Sequence, residues 1–319
     1  MDLGVRGSER VRHRFAHEVV FYDGAAARSE ALLPFVCEGV ALGEPVLVVQ
    51  PPGSVESLRR DLRVELGAAA DCVELADMAE VGANPACIIP LWRRFVAEHA
   101  GAGRVRGIGE PVWAGRRDDE IVEAQLHEGL VNLAFDDGPG WHLLCPYDTS
   151  RLPAWVIEGA RRTHPLVHEA GRSGDGYRGH DYARQAFGSR LPEAPHTARR
   201  YPFTLDDLPE MRARVRRAGR RAGLRANVVD DLVLAAHELA TNSVVHAGGH
   251  GLLLLWAEAD ALVVEIRDDG RIDDPLVGRS EPDFEALHGR GIWMVNQLCD
   301  LVQVRSDDAG TQVRLHAWR

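Results

Sequence analysis

From Phe15 to about residue 170, short apolar runs alternate with helical stretches, and that rhythm leaves few folds open. HEVVFYDG is followed by ARSEALLPFVCEGVALG, then by PVLVVQPP and SVESLRRDLRVELG, in the order strand, helix, strand, helix. The rhythm continues through NPACIIPLWRRFVAEH, VRGIGEPVW, DDEIVEAQLHEGLVNLAF, WHLLCPYD and PAWVIEGARRTHP. Strands that are apolar without interruption have both faces covered, as in a parallel sheet between helices. The sequence therefore predicts a doubly wound α/β domain over 15–170. Residues 171–200 are rich in Gly, Arg and Pro, show no sustained period and read as a linker. A second domain follows over 201–319.

Composition narrows the chemistry. All 37 basic residues are arginine and the chain has no lysine. A Walker A lysine, the strand lysine of protein kinases and a Schiff-base lysine are thereby excluded. A net charge of −11 argues against general attraction to nucleic acid or anionic membrane. The N-terminal stretch lacks an apolar signal core, and the longest apolar run, near LLLLWA, is too short to cross a bilayer. The expected location is the cytoplasm. Cys37, Cys72, Cys87, Cys145 and Cys299 are scattered and never spaced CxxC, so they read as buried thiols rather than a disulfide or zinc framework.

The second domain carries four short pieces. In the apolar helix Asp231 to Ala247, Glu238 and Asn242 stack one turn apart, flanked by Asp231 and Ala235, while Leu232, Ala236, Leu239 and Ser243 fall on another face. A carboxylate and a carboxamide so placed suit a general base and a ligand for a hard cation; the ordinary reading is a solvated helix edge. Ala261 to Ile266 is strand-like and runs into Arg267-Asp268-Asp269-Gly270, where Asp268 could accept from an exocyclic amine and Gly270 could admit a flat ring; DDG is otherwise a turn. His288-Gly289-Arg290-Gly291 opens the apolar IWMVNQLCDLV, which places free backbone N–H groups at a helix start. VQVRSDDAGTQVRLHA alternates on both sides of DDAG as a hairpin does, with Gly310-Thr311 early in its second strand.

The order E-x-x-x-N, D-x-G, G-x-G, G-T resembles the GHKL ATPase superfamily and, within it, the anti-sigma-factor serine kinases, over Tyr201 to Arg319. The resemblance implies a Bergerat-type α/β sandwich with a mixed sheet, binding ATP and Mg²⁺. It further implies that Asn242 ligates Mg²⁺ through ATP, that Asp268 and Gly270 receive adenine with support from Thr311, and that Gly289, Arg290 and Gly291 cradle phosphates. Glu238 would be the base toward a serine on an anti-anti-sigma (STAS-type) partner, with a sigma factor as the regulated protein and homodimer formation left open. Residues 271–288 would form a lid, with Arg271 where a second glycine is common.

The first domain is similar to MEDS-type sensory domains, which share a RecA-like core without the nucleotide-binding lysine. That similarity rests on His17 and Tyr22 in HEVVFY and on the strand and helix order, and it makes these two residues the candidate sensory site. A histidine opening a strand is otherwise a plain hydrogen-bonding residue. His127 and His168 read as solvent-facing helical positions, and His246 with His250 lacks the helix and partners a metal needs. Arg212, Arg214, Arg216, Arg217, Arg220 and Arg221 form a stripe that is either a solvated face or a docking surface for an acidic protein. Two competitors remain: a sigma-sequestering module that binds ATP without turnover, and a sensor histidine kinase. The second needs a phosphoacceptor histidine on a helical hairpin, which the Gly- and Pro-broken 171–200 disfavours, His180 being the nearest candidate.

Overall fold

The computed structural model describes residues 15–137, 140–168, 171–172, 176–282 and 290–319. The chain divides into two compact units, 1–183 and 184–319. The first holds β1 (Ala16–Tyr22), α1 (Gly24–Ala41), β2 (Val46–Gln50), α2 (Val55–Leu66), β3 (Val73–Asp77), α3 (Met78–Val81), α4 (Ile88–Glu98), β4 (Arg106–Gly109), α5 (Asp118–Ala134), β5 (His142–Asp148), α6 (Ala154–Thr163), β6 (Leu166–Val167) and β7 (Gly171–Arg172). Its sheet runs β3-β2-β4-β5-β1-β6-β7, parallel throughout except for the terminal β6–β7 pair. The doubly wound expectation is met.

Sequence makes the two layers of this sheet different. On one face Val20, Val46, Val48, Ile108 and Leu144 meet Leu32, Phe35 and Val36 of α1 and Leu58 and Leu62 of α2 in an aliphatic core. On the other, Gly107 and Gly109 of β4 leave room for the indole of Trp92, which packs 5.5 Å from that of Trp141. A Cβ at Gly107 would lie 2.9 Å from the Trp92 ring and 3.0 Å from that of Trp141. Helix α5 is buried along nearly its whole length, His127 included at 1% exposure. The solvent-facing reading of His127 is therefore wrong, because this helix has almost no outer face to offer. His168 is not helical either; it follows β6 and bonds Glu18 at 2.9 Å.

Helix α7 (Gly179–Phe187) falls inside the expected linker, with Ala183 and Phe187 buried. The second unit then holds β8 (Arg199–Thr204), α8 (Leu208–Arg221), α9 (Ala226–His246), β9 (His250–Ala257), β10 (Ala261–Asp268), α10 (Arg290–Leu298), β11 (Leu301–Asp307) and β12 (Gly310–Trp318). The sheet order is β11-β12-β10-β9-β8 and every pair is antiparallel, which corrects the expectation of a mixed sheet. Connections of a few residues between β9 and β10 and between β11 and β12 permit only antiparallel pairing.

Helix α9 explains the core. Val229, Leu232, Val233, Ala236, Leu239 and Ala240 recur at helical spacing and pack on Leu253, Leu255, Leu262, Val264, Val313 and Leu315. Each such leucine contributes about 1.5–3 kcal/mol by leaving water. Gly248 and Gly249, both at φ 87°, end the helix in the left-handed region that side chains avoid. The opposite face of the sheet is covered by the rest of the expected linker. Ala194 packs with Leu254, Trp256, Ala261 and Val263; the Leu191 N–H donates to Gln312; Arg314 donates to the Pro192 carbonyl. Beneath them Arg314 and Arg267 both bond the fully buried Glu265.

Of the cysteines, Cys145 and Cys299 are buried as expected, whereas Cys72 is exposed. No helix among the described residues is long and apolar enough to cross a membrane. The tight indole packing gives a first prediction. Gly107→Ala should destabilise the first unit by roughly 1–3 kcal/mol, the usual cost of forcing a methyl into a full core. Denaturant unfolding of the full chain measures it, and an unchanged midpoint would mean that the indoles yield.

Candidate functional site

In the second unit the motifs converge on one cavity, lined by Asn242, His246, Ala247, Asp268, Gly270, Arg271, Ile272, Val277, Gly291, Ile292 and Thr311. Each wall has a local cause. Asn242 lies late in α9, on the side that the apolar face leaves free. Asp268 is the last residue of β10, and its carboxylate accepts from the Ser243 hydroxyl at 2.5 Å and from the Gly270 N–H at 2.9 Å. The glycine box is thus folded back on its own strand end. Ser243, read from the sequence as a packing residue, is the one that ties α9 to Asp268. A lone hydroxyl on an otherwise apolar face was the available signal.

Two absent side chains shape the floor. A Cβ at Gly270 would sit 2.6 Å from the Ala247 Cβ, and one at Gly291 would sit 2.6 Å from the Glu238 Oε1 and 2.9 Å from the Asn242 Nδ2. The first turn of α10 therefore rests directly against the Glu238/Asn242 pair. A helix start of this kind presents backbone N–H groups. Arg290 is the first residue of α10 and is exposed. Gly289 lies outside the described residues, as does the end of the expected lid.

Thr311 opposes Asp268 in the β10–β12 register, and its hydroxyl donates to the Gly270 carbonyl at 2.8 Å. Its oxygen also lies 2.9 Å from Ser306 Oγ, which accepts from the Ile272 N–H at 2.8 Å. Ser306 is a second supporting residue that the sequence did not mark. Next to Thr311, Gly310 adopts φ 122°, and a Cβ there would meet the Asp268 carbonyl at 2.2 Å. Only glycine fits. Arg271, at the cavity's edge, is exposed and its guanidinium bonds Asp273 and Asp308.

In the first unit His17 and Tyr22 do not form one site. They point to opposite faces of β1, His17 near its amino end and Tyr22 at its carboxyl end. Tyr22 donates to Glu110 at 2.8 Å, and Arg28 donates to the same carboxylate and to Ser54. Burial raises Glu110 to about 6 although Arg28 opposes it, and burial beside Glu110 pushes the Tyr22 phenol up. His17 is fully buried, and that burial lowers its pKa to about 4. Its neighbours Glu128, Cys145 and His164 went unmarked because they come from separate elements with no sequence spacing to betray them.

A second cavity is lined by Arg199, Tyr201, Arg214, Arg217, Arg221 and Arg319 with apolar residues between them. Arg214 stacks 4.0 Å over the Tyr201 ring and, with Arg217, bonds Glu210. It holds no carboxylate and carboxamide pair and no glycine box, so the convergent site is the other cavity.

Two family models match this chain. Residues 16–165 match the MEDS model, the methanogen/methylotroph DcmR sensory domain, and residues 201–317 match the histidine kinase-like ATPase domain. No curated protein matches it. Among solved structures, the RsbU and RsbW domains of a Mycobacterium tuberculosis protein share 16% identity with a TM-score of 0.30, covering 39% of this chain and 33% of that one. The match thus spans a third of that solved chain's length, an overlap too loose to bear on function.

The floor of the cavity yields a second prediction. Gly291→Ala should weaken ATP binding tenfold or more, since the methyl must displace Glu238 or Asn242, while far-ultraviolet circular dichroism stays unchanged. Isothermal titration would read the affinity; undiminished binding would show that the Glu238/Asn242 pair can move aside.

Proposed function

We propose that this chain, which joins a MEDS domain to a histidine kinase-like ATPase domain, is an ATP-binding regulatory kinase of the anti-sigma type. The observation that carries the reading is the convergence of Asn242, Asp268, Gly270, Gly291 and Thr311 on one cavity, with Glu238 against its glycine edge. The residues present fit a nucleotide. Gly270 and Gly291 leave backbone surface that any side chain would fill, and Asp268 offers carboxylate lone pairs beyond those used by Ser243 and Gly270.

In this reading Asp268 accepts from the adenine amine and Thr311 keeps the glycine box in place behind it. The start of α10 binds phosphate through its backbone N–H groups, with Arg290 beside them. The Asn242 side-chain oxygen would hold Mg²⁺, which when bound offsets phosphate charge. Glu238 takes the proton from a serine hydroxyl of the partner as that oxygen bonds to the γ-phosphorus and the bond to ADP breaks. The partner would be an anti-anti-sigma protein of STAS type, with a sigma factor downstream. The arginines of α8 suit an acidic partner surface, because guanidinium pairs carboxylates in a bidentate way.

The same domain type in a sensor histidine kinase would need a phosphoacceptor hairpin. Here residues 176–198 contain the nine-residue α7 with His180, followed by an extended stretch laid on the sheet. That arrangement favours transfer to a separate protein over transfer to a histidine of this chain.

Two substitutions separate binding from chemistry. Asp268→Asn should weaken ATP by tenfold or more, the worth of a charge-assisted hydrogen bond at about 1.5–3 kcal/mol. Glu238→Gln should keep nucleotide affinity within about twofold yet abolish transfer, since the amide cannot take a proton. Titration calorimetry and transfer of labelled phosphate from ATP to a STAS-type protein read the two effects. Transfer that survives Glu238→Gln rules out Glu238 as the base. Wild-type protein that binds ATP but transfers nothing is a sequestering module instead.

A further inference from the structure

Four buried side chains of the first unit meet at one point: His17 of β1, Glu128 of α5, Cys145 of β5 and His164 at the end of α6. None is more than 1% exposed. His17 Nε2 lies 3.0 Å from Glu128 Oε2, His164 Nε2 lies 3.3 Å from the same oxygen, and Cys145 Sγ lies 3.4 Å from His17 Nε2 and 3.6 Å from that oxygen. All four ligand atoms fall within 4.8 Å of one another. With bonds of about 2.0–2.3 Å to a tetrahedral zinc ion, neighbouring ligand atoms are separated by roughly 3.3–3.8 Å. Three of the six edges already have that length, and the His17–Glu128 edge, at 3.0 Å, is a little shorter.

The hydrogen-bond directions point the same way. The Asn132 side-chain nitrogen donates to the carbonyls of Glu128, Gly129 and Thr163, which fixes the amide oxygen toward His17 Nδ1 at 3.1 Å. His17 Nδ1 must therefore carry the proton. His164 Nδ1 lies 2.7 Å from the Ala160 carbonyl, which can only accept, so it too carries its proton. In their neutral forms both imidazoles then turn bare Nε2 lone pairs toward Glu128, and His164 Nε2 has no hydrogen-bond partner although it is fully buried. Tyr147 donates to the other carboxylate oxygen at 3.3 Å and leaves Oε2 facing the cluster. Three acceptors crowd one point, and the Cys145 S–H supplies a single proton among them. Acceptors face each other at 3 Å when a proton or a metal cation lies between them, and one metal ion would serve all three together where a single proton joins only a pair. Imidazoles held by an Nδ1–H bond to a carbonyl or amide oxygen are how metal-binding histidines are usually oriented.

We propose that His17, Glu128, Cys145 and His164 bind one divalent transition-metal ion of the zinc class. The ligand set fits such an ion of borderline softness, which accepts nitrogen, sulfur and oxygen together, and does not fit magnesium or calcium. Charge balances as well. On binding, the thiol loses its proton to solvent, and one thiolate, one carboxylate and two neutral imidazoles offset the two positive charges. The core then contains no net charge, which is what burial requires. All four positions are filled by protein, so the site is closed and structural. It would pin β1, β5, α5 and the end of α6 to one another.

The test uses the full chain, expressed without a histidine tag in medium supplemented with Zn²⁺ or Co²⁺ so that the ion enters during folding. Elemental analysis after gel filtration should find one ion per chain. The cobalt form should show tetrahedral visible bands and a thiolate-to-cobalt charge-transfer band. Cys145→Ser should remove the charge-transfer band, His164→Gln should lower the ion content several-fold, and Cys37→Ser should change neither. Folded wild-type protein without a bound ion or a cobalt–thiolate band overturns the proposal, and so does an ion that survives in both ligand variants. If the ligand variants do not fold, the wild-type cobalt spectrum together with the Cys37→Ser control still decides, because a band lost with Cys37 would place the thiolate elsewhere.

Discussion

The hydrogen bond from Ser243 to Asp268 is the contact on which the nucleotide domain's site depends. It joins the deepest helix to the end of the central strand, at the point where that strand stops being sheet and becomes site. Asp268 then has one oxygen on the helix and the other on the Gly270 N–H, so the glycine box cannot rotate away without breaking a carboxylate hydrogen bond. Thr311 locks the box from the opposite side through the Gly270 carbonyl. The cavity is held by these few polar contacts and widened by glycines whose missing side chains would otherwise close it.

The absence of lysine makes that design intelligible. A phosphate loop with its lysine holds nucleotide by a point charge, whereas in the proposed function this domain would rely on backbone N–H groups and on the fit of glycine against Glu238 and Asn242. Arginine takes up the structural duties instead. Arg314 and Arg267 flank Glu265 beneath the stretch that follows α7, and Arg106 bonds Glu38, Glu44 and the Phe35 carbonyl in the first domain. A planar guanidinium with five donors can satisfy several buried acceptors at once, which an ammonium on a flexible stem does less well.

The parts of this fold that were legible in sequence are those that repeat. Apolar strands and amphipathic helices announced both domains, the hairpin around DDAG and the helix bearing Glu238. Sparse contacts were not legible. Leu191 and Ala194 are single apolar residues in a Pro-rich stretch, too few to set a period, yet both are buried, Ala194 packing on a sheet face and Leu191 bonding Gln312 of β12 through its N–H. His127 was misread because a helix enclosed on nearly every side has no polar stripe to mark which positions are inside. Ser243 and Ser306 hold the candidate cavity through hydroxyls that look interchangeable with any other serine. The cluster around His17 escaped for a topological reason: four elements far apart in sequence become neighbours only when the parallel sheet forms.

That cluster also separates the two ends of the first domain's sheet. At the amino end, His17 is sealed beside the Phe15 and His164 rings with no exposed surface, so nothing arriving from solvent could reach it without opening the core. At the carboxyl end, Tyr22, Arg28 and Glu110 stand where three strands stop, and the buried Gln50 side chain at the end of β2 has neither its oxygen nor its nitrogen hydrogen-bonded. Leaving an amide unpaired in a protein interior costs on the order of 1–3 kcal/mol. A carboxyl held near the middle of the pH scale beside an arginine adds a group whose charge a ligand can change. The physical cost of binding is thus already present at the carboxyl ends of the strands, the place where open α/β sheets usually receive ligands. The amino end has the opposite character: rigid, closed, and suited to holding the sheet in one shape while the other end responds.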